Sequence, residues 1–301
     1  RYTVRLPKRR IMYLCENKNG RVVSFVVNDN EDGITVGELL KFRGVSRRLI
    51  VKLKRAENGI SLNGEHIRTI DKAAKGDVVS IFLSDSKVLE ANSSLSVPVL
   101  YEDDDVAVFD KPVNMPVHPS IKHQGDTLGN CFSALYPDLT FRPINRLDRD
   151  TSGLCAVAKN AHSANLLQGS IEKVYYAAVC GKLERGGIID APIGRAGESI
   201  IRREVRPDGQ RAVTEYTIIK ENDKYTLLRI KLRTGRTHQI RVHFSYIGHP
   251  LAGDDFYGGS TEDISVQALH CGELSFISPV TNEAVNVVSP LREDIAALFK
   301  E

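Results

Sequence analysis

Hydrophobic positions along the 301-residue chain fall into short runs separated by polar turns. Residues 22–27 (Val22-Val23-Ser24-Phe25-Val26-Val27) read as a strand that ends in the turn cluster from Asn28 to Gly33. Thr35 and Glu38 have capping-box spacing and open a helix carrying Val36, Leu39 and Leu40, which Gly44 ends. Ser46 caps a second helix that runs to about Arg55. Leu62-Asn63-Gly64-Glu65 has hairpin chemistry, and residues 78–83 form a closing strand. Residues 84–98 are polar and read as a linker, and from Val99 onward short strands alternate with a few helices. The expected layout is a basic tail and strand at 1–33, a small unit at 34–83, a linker at 84–98 and a large domain at 99–301.

Charge adds detail to two of these elements. Between Lys41 and Arg55 there are seven basic residues and no acidic one. At about 100° per residue, Arg48, Lys52 and Arg55 share one helix face, and Leu49, Ile50 and Leu53 lie opposite. Such a face suits phosphates, and it equally suits solvent. A membrane-surface role fits less well, because the apolar side is needed to hold the small unit together. The stretch 229–253 carries Arg229, Lys231, Arg233, Arg236, Arg241, His238, His243 and His249, again with no acid. Leu228, Ile230 and Leu232 alternate with the first three of these, which makes a strand with a basic face. Ile240, Phe244 and Ile247 then recur at helical spacing until Gly248 and Pro250, with His238 and Arg241 one turn apart. A helix start with arginine and histidine suits a phosphate or carboxylate. The pattern is wrong for a metal: His238 and His243 are five residues apart and no carboxylate lies between them.

Two further segments hold candidate chemistry. Asn145-Arg146-Leu147-Asp148-Arg149-Asp150-Thr151-Ser152-Gly153-Leu154 packs two carboxylates and two arginines into five residues. An arginine beside a carboxylate favours the charged form, and a charged loop aspartate can act as nucleophile or base. The same residues also make a good turn. In Lys173-Val174-Tyr175-Tyr176 the adjacent tyrosines point to opposite faces of a strand, one into the core and one free to stack on a base. Composition is ordinary for a globular protein, 42% hydrophobic and 26% charged with a net charge of +3, and no run nears the roughly 18 apolar residues of a membrane span. The five cysteines are widely spaced without a C-x-x-C, which fits reduced thiols; no apolar run of signal type follows the basic start, so a cytoplasmic location is expected. Neither a P-loop nor a dinucleotide fingerprint is present.

Taken together, these segments resemble the RluA-type family of RNA pseudouridine synthases with an S4-like RNA-binding domain in front. The resemblance rests on R-L-D-x-x-T-S-G-L at 146–154, on Asp110-Lys111-Pro112 and Val117-His118-Pro119-Ser120, and on Lys173-x-Tyr175-x-Ala177. It continues in Thr234-Gly235-Arg236-Thr237-His238-Gln239-Ile240-Arg241-Val242-His243, Gly248-His249-Pro250, Gly253-Asp254-x-x-Tyr257-Gly258 and Leu269-His270. The S4-like part is Val45-Ser46-Arg47-Arg48, Leu62-Asn63-Gly64 and Lys75-Gly76-Asp77. The family pattern often has His where this chain has Asn145 and Ser278.

The resemblance implies an α+β fold: a small S4-like domain, then a mixed, mostly antiparallel sheet with flanking helices. It implies that Asp148 is the catalytic aspartate, that Arg241 pairs with it and keeps it ionised, and that Tyr175 stacks on the flipped uracil and is a candidate for abstracting the C5 proton. Arg146 would help fill the space left by the base, and Arg47, Arg48, Lys52, Arg55, Arg236 and His238 would hold RNA. No cofactor or metal, no membrane and no obligate protein partner is implied. Large-subunit ribosomal RNA is the expected substrate and transfer RNA the alternative; outside the enzyme class, the alternative is a non-catalytic RNA-binding or ribosome-assembly factor.

Overall fold

Short-range hydrogen bonds start the small unit. The Thr35 hydroxyl accepts the Glu38 N–H, and the Glu38 carboxylate accepts the Thr35 N–H in return. Ser46 caps the next helix through the Leu49 N–H. In the computed structural model, residues 11–12, 21–56, 58–84, 89–197, 199 and 201–300 are described. The first elements are β1 (Ile11–Met12), β2 (Arg21–Val26), α1 (Val36–Phe42), α2 (Arg47–Lys54), β3 (Ile60–Leu62), β4 (Glu65–His66) and β5 (Val78–Leu83). They form an antiparallel sheet in the order β1-β2-β5-β3-β4, covered by the two helices. Asn63 and Gly64, both at positive φ, make the tight turn of the β3–β4 hairpin.

Two details go beyond the sequence reading. Strand β2 pairs with β5 along its whole length and buries Val23 and Phe25 with Leu39, Leu40 and Ile81, so the packed unit reaches ahead of residue 34. Arg43 is not on the basic surface. It is buried, donating to the Glu31 carboxylate at 2.6 Å and to the Val26 carbonyl at 2.9 Å. The predicted tail at 1–10 and Cys15 lie outside the described residues.

The larger part contains β6 (Val99–Glu102), β7 (Val106–Lys111), α3 (Leu128–Leu135), β8 (Ser152–Ala158), α4 (Ala161–Leu167), β9 (Glu172–Cys180) and β10 (Gly187–Asp190). The hairpin β11 (Ile193–Arg195) and β12 (Arg203–Val205) follows, then β13 (Val213–Glu221), β14 (Tyr225–Leu232), α5 (Gln239–Tyr246), β15 (Leu269–Ile277), β16 (Ala284–Val288) and α6 (Glu293–Ala297). The main sheet runs β10-β13-β14-β9-β15-β8-β7-β6, with β16 on β15. It is antiparallel except where β8 meets β15, a parallel seam registered only at Ser152–His270 and Gly153–Cys271. The fold is α+β, as the resemblance implies. Phe109, Phe132, Leu154, Leu228, Ile230 and Phe244 fill its core. Cys131, Cys155 and Cys271 are free and buried.

The small unit rests on α4. Asn165 donates to the Gly44 carbonyl at 2.8 Å, Phe25 packs edge-on against His162, and Arg21 pairs with Asp105. Among the described residues no helix is long and apolar enough to cross a membrane.

Candidate active site

The site lies where the parallel seam interrupts the sheet. The loop 143–151 leads into β8 and is tied down by its own residues. Asn145 is buried and donates to the Leu154 carbonyl at 3.0 Å, while its side-chain oxygen accepts the Ala156 N–H at 2.8 Å. The departure from the family pattern at this position is thus a loop anchor. Lys111, also buried, donates to the carbonyls of Pro112, Met115 and Arg149 at 2.7, 2.8 and 3.0 Å. Burial pulls its pKa down to about 8. Gly153 has φ +102, and a Cβ there would stand 2.3 Å from the Cys271 carbonyl oxygen, so the seam requires glycine. These restraints hold Asp148 at the mouth of the loop, its side chain 30% exposed.

Helix α5 brings the cation. Gln239 accepts from the Thr234 hydroxyl and the Arg236 N–H, both at 2.9 Å, and donates to the Val213 carbonyl and the Thr214 hydroxyl. The turn so formed places Arg241 beneath Asp148. The guanidinium makes a two-armed pair with buried Asp254, Nε–Oδ2 2.7 Å and Nη2–Oδ1 2.8 Å, and its remaining arm, Nη1, reaches Asp148 Oδ2 at 3.2 Å. Burial works against the Arg241 charge, but the two carboxylates outweigh it and raise its pKa. The Tyr257 ring covers the guanidinium at 4.9 Å.

Strand β9 supplies Tyr175, buried opposite Cys271 and Ile230. Burial, then the charges of Cys271 and Asp148, push its hydroxyl pKa well above 10. Tyr176 faces the other way and donates to Glu273, as strand alternation requires. His238, at the start of α5, has Nε2 3.9 Å from Asp148 Oδ2.

The structure therefore brings Asp148, Arg241, Tyr175 and His238 together. Arg146 is exposed on the same loop, and its charge adds to burial in lowering the His118 pKa. Arg236 is exposed, with Nε donating to the Arg211 carbonyl. Arg47, Arg48, Lys52 and Arg55 are exposed on α2 and its end, in the small unit. The basic face of β14 is weaker than its sequence suggests. Arg229 pairs with Glu273 of β15 at 2.9 Å, reaching across β9, and Arg233 with Glu215 of the neighbouring strand β13 at 3.0 Å.

Sequence reasoning assigned no role to Asp254, although it follows directly on the acid-free stretch 229–253 and opens the quoted D-x-x-Y-G segment. A basic, acid-free stretch that ends at the pair Asp254-Asp255 was the available signal. Among the described residues no group of three or more His, Cys, Asp or Glu side chains is arranged to hold a metal ion.

Comparison with known proteins places the chain in a family. The family model for RNA pseudouridylate synthases matches residues 105–246, a span that holds Asp148, Tyr175 and Arg241. An RNA pseudouridine synthase of Bacillus subtilis, YjbO, is 39% identical over 279 residues, covering 89% of this chain and 99% of that protein. Ribosomal large subunit pseudouridine synthase D of Pseudomonas aeruginosa is 40% identical over 228 residues, 68% of this chain and 71% of that protein. Among solved structures, human RNA pseudouridylate synthase domain containing 1 superposes with a TM-score of 0.56 at 26% identity, covering 67% of this chain and 86% of that one. The chain belongs to the RluA-type family of RNA pseudouridine synthases, and its enzyme class is isomerase.

Proposed function

We propose that this enzyme isomerises specific uridines of large-subunit ribosomal RNA, using Asp148 as its catalytic carboxylate on a base flipped out of the helix. The observation that carries the reading is the Arg241 guanidinium, held by two arms on buried Asp254 and aimed with the third at partly exposed Asp148. Such an arrangement sets a carboxylate in one place at an open site. Breaking N1–C1′ builds positive charge at C1′, which a fixed carboxylate can stabilise or trap. A base inside a helix must first be extruded, at a cost of a few kcal/mol. Stacking on an aromatic such as Tyr175 offsets roughly 1–3 kcal/mol of that. Arg146, exposed on the Asp148 loop, would fill the vacated space.

In the same reading the small unit is an S4-like RNA-binding domain. Exposed Arg47, Arg48, Lys52 and Arg55 on α2, with Arg236 near the site, would hold backbone phosphates. The ribosomal assignment draws on relatives named for the large ribosomal subunit. Total RNA from a strain of the source organism lacking this gene tests it. After incubation with the protein, carbodiimide-resistant adducts are mapped by reverse-transcription stops. New stops in large-subunit ribosomal RNA are expected. Stops confined to transfer RNA would move the substrate, and no stops beside tight binding would favour the assembly-factor alternative.

A further inference from the structure

We propose that His238 is a further active-site residue: its Nε2–H donates a hydrogen bond to a carbonyl oxygen of the reacting uracil, and Tyr257 fixes the tautomer that puts the proton there. This rests on the reading of the site as one of uridine isomerisation. His238 has φ +56, a left-handed backbone that residues other than glycine seldom adopt and that concentrates at functional sites. That turn tucks its ring beside Asp148. Nδ1 lies 2.8 Å from the Tyr257 hydroxyl, which also accepts the Arg203 N–H at 3.1 Å. The hydroxyl has one proton of its own, and Nδ1 is the acceptor within reach of it. The ring proton then sits on Nε2. That nitrogen faces Asp148 Oδ2 at 3.9 Å, beyond hydrogen-bond range, so the N–H is presented beside the carboxylate without being consumed by it. Edge-on contacts with Phe256 and Tyr257 fix the plane of the ring. Burial lowers the His238 pKa against the pull of Asp148, which keeps the ring neutral.

The chemistry asks for such a group. When N1–C1′ breaks, its electron pair stays on uracil and the charge spreads to O2 and O4. If a nucleophile adds at C6 instead, the electron pair of the C5–C6 double bond moves to C5 and O4, so O4 takes up the charge. A neutral donor already in place stabilises either species and transfers no proton.

The experiment follows tritium release from a transcript made with [5-³H]uridine that carries the mapped site, since C5 loses its hydrogen on isomerisation. His238→Asn tolerates the left-handed backbone and keeps a polar group near the Nδ1 position, but places nothing at Nε2. His238→Gln returns an amide N–H near that point. The expected result is a kcat about 10- to 100-fold lower for His238→Asn with KM within about threefold, and roughly tenfold recovery for His238→Gln. Tyr257→Phe, which leaves the His238 backbone untouched, lowers kcat at unchanged KM. Wild-type kcat in His238→Asn or Tyr257→Phe, or equal losses for Asn and Gln, overturns the assignment while the wild-type enzyme still releases tritium. A wild-type enzyme that releases none overturns the functional reading itself, and this inference with it.

Discussion

Arg241 and Asp254 are worth more to this protein together than either is alone. Both are buried, and their two-armed contact satisfies charges that water no longer reaches. Removing one partner of such a pair strands the other, at about 3–5 kcal/mol. Urea unfolding of Asp254→Ala is therefore expected to show a loss of that size. Asp148→Asn, at a side chain 30% exposed, is expected to stay within about 1 kcal/mol of wild type. A reversed order would contradict the assignment of Asp254 as the buried anchor. Asp148, Tyr175 and Arg241 all fall in quoted segments; Arg241 Nη1 reaches Asp148, and Tyr175 lies near enough to feel the charge of Asp148. Asp254 and Tyr257 were quoted without a role, because what they do is set by a helix packing back over a turn. Lys111 was hidden by its type, since a lysine donating to three buried carbonyls looks in sequence like any surface lysine.

Elements whose signals are local came through best. The capping residues Thr35 and Ser46 stand at the starts of α1 and α2, and Asn63-Gly64 turns the hairpin, because each depends on neighbours within a few residues. What failed was charge bookkeeping across the fold. The basic face of β14 meets Glu215 from adjacent β13 and Glu273 from β15, one strand further on, and Arg43 turns inward to Glu31. Helix α2 keeps its face, with Leu49, Ile50 and Leu53 buried and Arg48, Lys52 and Arg55 outside. Changing those three cations to glutamine is expected to weaken RNA binding and to lower the salt slope by up to about one per residue. Far-ultraviolet circular dichroism should be unchanged, since no core contact is touched. An unaltered salt slope in filter binding would remove α2 from the RNA interface.

Over the whole molecule, sheet order was the least legible property. Strand β15 inserts between β8 and β9, pairing with segments that lie far upstream in the sequence, and no local pattern encodes that pairing. The same packing buries histidines in neutral form. His243 donates from Nε2 to the Ala191 carbonyl and accepts at Nδ1 from Thr214, and burial lowers its pKa, as it does for His238 and His270. Their folded pKa values lie below the unfolded value of about 6.5, so the unfolded chain binds more protons as pH falls through that range. Their stabilising contribution is full above about 6.5 and is lost below it. The melting temperature is expected to drop between pH 6.5 and 5, and to drop less in His243→Asn measured against its own neutral-pH value; a flat profile for wild type would contradict this. The central claim is that Asp148 carries the chemistry on RNA held by the rest of the molecule. The most direct measurement compares wild type and Asp148→Asn for tritium release from [5-³H]uridine-labelled large-subunit ribosomal RNA, with filter binding in parallel. Release by wild type alone, at matched affinity, is the predicted result. Release by Asp148→Asn at the wild-type rate would contradict it.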